Sequence, residues 1–354
     1  MAIKNIHQFS AGFNLGDAIS NEMIAIRQIL KKLGYSGEIY SENIGVNATR
    51  ISKKFHSYKP ARNDLLIYHH SIHSSVLDYI LKIPVPKILI YHNVTPHHFF
   101  ESYDLKLTYY LKKGREELLQ MRGQFSAYYA DSDYNKRELL SIGYENVKIL
   151  PIIYDFSKLN QLEDRKVSAK KRILFVARIA PNKRQDDLIK FAKIFYDYYY
   201  QDFELNLVGY CSHELESYKV ELQSLVEAFD LQDIVKFSDF VDDRTVNQFY
   251  QYADLFVTMS EHEGFCVPLL EAMYHRIPII AHNAGAVKDT LAGSGILFYK
   301  KDYLALCEMA YKVLFDDEFR DAIVSMQNEK LELFIQENSE DNLKKKLSQM
   351  LEFV

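Results

Sequence analysis

Along the chain, short apolar runs alternate with stretches whose apolar residues recur at helical spacing. Residues 4–9 read as a strand and 18–32 as an amphipathic helix. Residues 65–68 and 74–81 repeat the pair, and 87–91 leads into a long polar and aromatic helix after Pro96. After a break the alternation resumes, with strands over 171–177, 204–208, 234–237, 254–259 and 278–281 and helices over 185–199 and 213–229. Strands that alternate with helices predict an α/β fold in which each sheet is doubly wound and mostly parallel. The segment 152–170 has charges but little periodicity, so it is expected to link two domains. The domains expected are 1–160 and 161–336, with a final helix over about 337–354 packing back on the first. At 354 residues the chain exceeds the ~250 to 300 at which a single core stops growing, which agrees with two domains.

Composition narrows the function classes. Hydrophobic residues make up 48% and charged residues 26%, which suits a packed protein rather than a disordered one. The formal net charge of -5 argues against nucleic acid as a partner, because such binding needs a basic field. Three cysteines, Cys211, Cys266 and Cys307, have no metal-ligand spacing, so a reducing cytoplasm is the expected setting. Neither a signal peptide nor an eighteen-residue apolar run is evident, so export or membrane crossing by those routes is not expected.

Candidate chemistry gathers just after strands, where ligands bind in open α/β sheets. Arg178 and Lys183 follow the strand at 171–177, and a guanidinium beside an ammonium suits a diphosphate. Glu263 and Glu271 bracket Gly264, Phe265, Cys266, Val267 and Pro268, a turn running into a helix with Pro in its first turn. The free N–H groups of that helix start suit an anion, and the two carboxylates suit sugar and ribose hydroxyls. Alternatively, Glu271 complements its own helix dipole and Glu263 is solvated. Gly16 lies between the first strand and helix, where it permits a close backbone approach to phosphate, and Asp17 either touches an acceptor or orders that loop. His92 follows the strand at 87–91. The cluster Tyr68, His69, His70 and His73 fits no zinc spacing and is read as a cleft wall, with His70 facing acceptor. Asp239, Asp242 and Asp243 superficially resemble an Asp-x-Asp metal motif.

These motifs, in this order, resemble the retaining glycosyltransferases of family 4, which have the GT-B architecture of two Rossmann-like domains facing a central cleft. The resemblance spans nearly the whole chain and is most specific at Glu263 to Glu271. It implies that Glu263 holds the donor hexose, Glu271 the ribose, and Arg178 with Lys183 the diphosphate, without a metal cofactor. His92 would face the reacting sugar, and main-chain atoms near Phe240 and Val241 would approach the nucleotide base. The donor implied is a nucleotide-sugar, a UDP-sugar in preference to GDP-mannose, and the acceptor a saccharide or lipid-linked saccharide. Basic and aromatic stretches around Arg50 to Arg62 and at Tyr109 to Lys113 suggest peripheral association with the inner face of a membrane. The alternatives are a nucleotide-sugar epimerase or phosphorolytic enzyme of the same fold, or a non-catalytic partner of another glycosyltransferase. A two-lobed solute-binding protein fits less well, since no export signal is evident.

Overall fold

The computed structural model describes residues 3–159, 170–239 and 241–352. Seven parallel strands form one sheet: β1 (Asn5–Phe13), β2 (Ile39–Ile44), β3 (Ser52–Lys54), β4 (Asp64–His70), β5 (Lys87–Tyr91), β6 (Ala127–Ala130) and β7 (Lys148–Ile149). A second sheet contains β8 (Lys171–Val176), β9 (Phe203–Val208), β10 (Val235–Ser238), β11 (Leu255–Thr258), β12 (Ile279–His282) and β13 (Ile296–Phe298). The orders are β3-β2-β1-β4-β5-β6-β7 and β10-β9-β8-β11-β12-β13. Each sheet therefore grows one way and then reverses, between β1 and β4 in the first and between β8 and β11 in the second. Such reversal points open a crevice at the carboxyl ends of the strands.

The helices are α1 (Ala18–Lys32), α2 (Ser75–Leu81), α3 (Leu105–Met121), α4 (Asp133–Ser141), α5 (Gln185–Tyr198), α6 (Glu216–Ala228), α7 (Asp243–Tyr252), α8 (Val267–Tyr274), α9 (Val287–Leu291), α10 (Tyr303–Phe315), α11 (Asp317–Glu337) and α12 (Glu340–Leu351). The chain divides into one unit of Met1–His98, Lys106–Asp155 and Phe334–Val354, and another of Phe99–Leu105 and Phe156–Leu333. In the first unit, α1 turns Met23, Ile26, Ile29 and Leu30 inward at helical spacing. On α12, Leu343, Leu347 and Met350 repeat that spacing and join a core with Ile6, Ile26, Leu65, Ile67 and Ile88. Each fully buried Leu or Ile contributes roughly 1.5–3 kcal/mol, enough to hold a helix so far along the chain against the first sheet.

Two strands run longer than their apolar runs suggest. The first continues past Phe9 to Phe13, and β4 continues past Tyr68 through His69 to His70 with all seven residues buried. Polar side chains in a strand covered on both faces need internal partners. Within the expected linker, Phe156–Lys158 forms one short 3-10 turn, and 160–169 lies outside the described residues.

Candidate functional site

The reversal point of the second sheet brings the two chemically richest motifs together. β8 and β11 are hydrogen-bonded neighbours, with Ile173 beside Leu255. The loops leaving them lie side by side. Glu261 N donates to Asn182 O at 2.9 Å, and Asn182 Nδ2 donates to His262 O at 3.4 Å. Lys183 Nζ then sits 2.7 Å from both oxygens of Glu263. The ammonium side chain is 17% exposed and the carboxylate 8%, so this pair stands at the rim of the packed interior. Arg178 is exposed, and Gln185 Nε2 holds its carbonyl at 3.0 Å. No acidic group among the described residues comes within ion-pair distance of the Arg178 guanidinium, which contrasts with the paired Lys183.

Two glycines fix these loops. A Cβ on Gly209, just after β9, would lie 2.0 Å from Ala177 O, and one on Gly285 would lie 2.1 Å from Glu263 O. Gly285 also has φ +59°. Only a residue without a Cβ lets the main chain pass so close. Behind the pair, Arg184 has a left-handed backbone (φ 54°) and bonds Asp186 and Asp187. Lys301 lies 2.6 Å from both Asp187 and Glu261. Burial alone would raise the Asp187 carboxyl, but its bonds from Arg184, Lys301 and Tyr303 hold it well below the usual carboxylate range. This web ties the start of α5 to the loop carrying Glu263.

The predicted helix after that loop is α8, with Pro268 in its first turn. Cys266, the residue before it, adopts φ 72° and is buried. Burial, with Glu263 nearby, pushes its thiol well above the ordinary value, so it stays neutral. Gly264, Phe265 and Val267 are half-buried, and Thr290 Oγ1 donates to the Phe265 carbonyl. Glu271 lies on α8 beyond the first turn, half-buried, and its Oε2 accepts from Tyr250 Oη at 2.7 Å. Val241 is half-buried in the loop after β10. The expected base contact at Phe240 lies outside the described residues.

In the first unit, Gly16 adopts φ +88°, with open space where a Cβ would stand, so backbone conformation rather than room is what it supplies. Asp17 caps α1, accepting from Ser20 N at 3.1 Å and Ser20 Oγ at 3.0 Å. Of the two roles foreseen for Asp17, loop ordering is the one its bonds perform.

His92 is built differently from its expectation. Gln8 Nε2 donates to Met23 O at 2.8 Å, so Gln8 Oε1 accepts from His69 Nε2 at 2.9 Å. His69 Nδ1 is then an acceptor, and it meets His92 Nε2 at 2.9 Å. Burial keeps His69 far below the ordinary imidazole value, hence neutral. Burial would lower His92 as well, but Asp131 Oδ2 at 3.4 Å and Glu22 Oε2 at 3.6 Å from Nδ1 raise it. The ring, its side chain 1% exposed, bonds His69 through Nε2, while Nδ1 lies beside the two carboxylates without a hydrogen bond. His92 is expected to face the reacting sugar through its ring or its carbonyl; the ring is buried among these protein groups.

His70 requires a similar correction. It lies inside β4 rather than after it, fully buried, with Nε2 donating to Gly114 O at 2.9 Å and Nδ1 facing Tyr68 Oη at 3.3 Å. Burial pushes it down to about 4, so it is neutral, and both its ring nitrogens face protein groups. Phe55 and Tyr58, within the basic and aromatic stretch, are also buried, whereas its cations Arg50, Lys53, Lys54, Lys59 and Arg62 are exposed.

For metals, Asp239 pairs with Lys219 at 2.7 Å and Asp242 caps α7 through Thr245 N at 2.8 Å. Among the described residues, Glu22, His69 and His92 bring ligand atoms within 4.8 Å of one another. The His69 Nδ1 that would face a cation is already engaged by His92. Sequence reasoning missed Asn182, Gly209, Gly285, Tyr250 and Gln8 as site-building residues. The position of Gly209 just after β9 is a readable signal, while the others act through contacts that sequence spacing does not reveal.

Residues 160–330 match the family model described as Glycosyl transferases group 1. The 2-deoxystreptamine N-acetyl-D-glucosaminyltransferase of Niallia circulans is 29% identical over 156 residues, 44% of this chain and 39% of that protein. The O-antigen chain mannosyltransferase RfbU of Salmonella typhimurium is 24% identical over 238 residues, 67% of this chain and 62% of that protein. Both matches thus span less than two thirds of the relatives' own lengths. The crystal structure of Anabaena Alr3699/HepE in complex with UDP and glucose superposes with a TM-score of 0.75 at 16% identity, over 99% of this chain and 100% of that one. The chain therefore has the GT-B fold, and its residues 160–330 are similar to the glycosyl transferases group 1 family.

Proposed function

We propose that the protein is a retaining glycosyltransferase of family 4 that moves a hexose from a nucleotide-sugar to a hydroxyl of a saccharide or lipid-linked saccharide in polysaccharide synthesis. The observation that carries this reading is the Lys183–Glu263 pair at the β8/β11 reversal point, beside the start of α8. Donor binding gives each member of the pair a new partner, diphosphate oxygens for Lys183 and hexose hydroxyls for Glu263. Arg178, exposed and without an ion-pair partner among the described residues, adds a second fixed cation, and Glu271 takes the ribose. Gly16 adds backbone contact to phosphate, and main-chain atoms around Phe265 to Val267 approach the sugar.

In the reaction the anomeric C–O bond to the diphosphate breaks while the acceptor oxygen bonds the same face of the sugar. The acceptor proton passes to the departing diphosphate oxygen, whose charge Lys183, Arg178 and the α8 N-terminus stabilise. A carboxylate nucleophile about 5 Å from an acid, the pattern of retaining glycosidases, is not invoked. No metal cofactor is required in this scheme, since two cations occupy the place a metal would serve. UDP is the favoured donor nucleotide and GDP-mannose the second. Alr3699/HepE was crystallised with UDP-glucose, and one relative is a mannosyltransferase.

No helix among the described residues is long and apolar enough to cross a membrane. We place the protein in the cytoplasm, resting on the inner face of a membrane through the exposed Tyr109, Lys106 and Lys112 of α3 and the basic stretch from Arg50 to Arg62. Each cation adds about 1 kcal/mol near an anionic surface. The test is nucleotide release from a panel of UDP- and GDP-sugars, with and without acceptor glycosides and EDTA, and the anomeric configuration of the product read by NMR. Metal-independent release from one donor with retained configuration is expected. No release from any donor together with no binding of UDP or GDP would instead identify a non-catalytic partner subunit.

A further inference from the structure

Tyr250 is the last residue but two of α7, 1% exposed, and its ring is locked between neighbours rather than facing solvent. It stacks on His275 with centroids 5.4 Å apart and planes 6° from parallel, and on Phe256 at 6.2 Å and 13°. His275 is itself held, with Nε2 3.3 Å from Asn247 Oδ1, and burial pushes it down to about 4, so the stack is between neutral rings. A ring held by two stacked neighbours points its hydroxyl in one direction. That hydroxyl lies 2.7 Å from Glu271 Oε2 and 3.5 Å from Pro268 O, so it reaches the carboxylate and the first turn of α8 together.

We infer that Tyr250 is a positioning residue for recognition of the nucleotide ribose, setting the plane in which the Glu271 carboxylate meets the 2′- and 3′-hydroxyls. This rests on the reading of Glu271 as the ribose ligand. A glutamate side chain has three rotatable bonds, and ordering it on binding costs roughly 1.5–2 kcal/mol. A donor already anchored by aromatic stacking removes much of that cost before the ligand arrives, which is preorganisation. The effect belongs to the diol, so it vanishes for a nucleotide without one. A merely structural Tyr250 would weaken every nucleotide alike.

The experiment is calorimetric binding of UDP and GDP, and of their 2′,3′-dideoxy analogues, to wild type, Tyr250→Phe, Glu271→Gln and the double variant, each first checked for an unchanged melting profile. Tyr250→Phe keeps the ring and its stack. Expected is an approximately tenfold loss of affinity for whichever ribonucleotide the wild type binds, the scale of a hydrogen bond to a charged group. No loss is expected for its dideoxy analogue, and none on adding Tyr250→Phe to Glu271→Gln. Equal weakening of both ligands would make Tyr250 a packing residue and overturn the inference, as would an unchanged ribonucleotide affinity. If wild type prefers the ribonucleotide over the analogue by nothing, the ribose role of Glu271 falls first. If it binds no nucleotide at all, the donor reading itself falls, and that outcome is separately visible.

Discussion

The reversal points of the two sheets have the same topology and opposite chemistry. Between β1 and β4 the polar groups run inward as a chain, Gln8 to His69 to His92, and end at buried Asp131 and Glu22, 3.4 and 3.6 Å from a His92 Nδ1 that makes no hydrogen bond. Between β8 and β11 they run outward as a lysine and a glutamate paired at the rim, with exposed Arg178 nearby. An ion pair at the rim can exchange its partners for a diphosphate and a hydroxyl and leave nothing unsatisfied. The bonded nitrogens of the buried imidazoles, both of His69 and Nε2 of His92, cannot, since each one that lets go leaves a buried polar atom alone, at about 1–3 kcal/mol. The same crevice is therefore built for ligand exchange in the second unit and for fixed geometry in the first.

The largest effect that separates the two is expected from Lys183→Ala. Removing a fixed donor from a developing charge lowers turnover by roughly 10²- to 10³-fold. It also strands Glu263, and breaking a buried pair from one side costs about 3–5 kcal/mol, an upper bound for this rim pair. Stability and turnover can be told apart by Lys183→Met combined with Glu263→Gln, which removes both charges. The double variant should recover the melting temperature of wild type while staying inactive. Recovery of turnover along with stability would make the pair structural, and the contrast between the two reversal points would collapse.

Next in size is Gly285→Ala. Its Cβ would fall 2.1 Å from Glu263 O, so the Glu263 main chain must move, with an overpacking cost of about 1–3 kcal/mol. Turnover should fall by roughly tenfold or more, because small misplacements of a binding group are expensive. Alanine at Gly16, where no atom stands within 4 Å of the new Cβ, should affect packing far less and act through its φ of +88° alone. A matching loss at both glycines, measured side by side for stability and turnover, would mean that crowding at Glu263 is not what matters.

The fixed geometry of the first unit carries a pH signature. Burial first, partly offset by His92, raises the Glu22 carboxyl from 4.5 to about 7. A carboxyl whose folded value is raised binds its proton more tightly in the folded state, so stability is full below about 4.5 and declines as pH rises toward 7. The shift corresponds to about 3 kcal/mol at most. His92, also raised, adds stability below 6.5 that is lost as pH climbs through its folded value, in the same direction. Glu22→Gln should therefore raise the melting temperature at pH 8 and change it little at pH 5. A variant that melts lower than wild type at pH 8 would show that the charged carboxylate is stabilising there.

Much of this was legible in the chain and part was not, for reasons that individual residues make plain. The doubly wound pattern follows from alternating periods, and the start of α8 from Pro268, which marks a first helical turn. What escaped was burial of polar residues. His69 and His70 look like a loop after an apolar run, because nothing local says that His92, Gly114 and Gln8 will satisfy them from 23, 44 and 61 positions away. Glu263 and Lys183 were each read as ligand groups, and their bond to one another is a property of neighbouring strands, not of either motif. Gly285 is invisible for the same reason, since its neighbour is a backbone carbonyl more than twenty positions back.

The smallest effect tests the first unit at its exposed candidate side chain, Asp17. Asp17 accepts from Ser20 N and Oγ, and Ser20 Oγ in turn accepts from Asn14 N at 3.0 Å, so the cap organises the whole turn from Asn14 to Ser20. Removing it with Asp17→Ala should cost about 1 kcal/mol, the usual scale of an N-cap. In a unit of this size that is roughly 2–4 °C of melting temperature. Asp17→Asn keeps an equally good cap and removes only the charge. If ordering is the role, the asparagine variant matches wild type in both melting and turnover, and the alanine variant loses stability with at most a modest fall in turnover. An asparagine variant that melts normally but turns over slowly would give Asp17 a contact with acceptor after all. It would also give the first reversal point an exchangeable charge of its own, and so erode the contrast with the second.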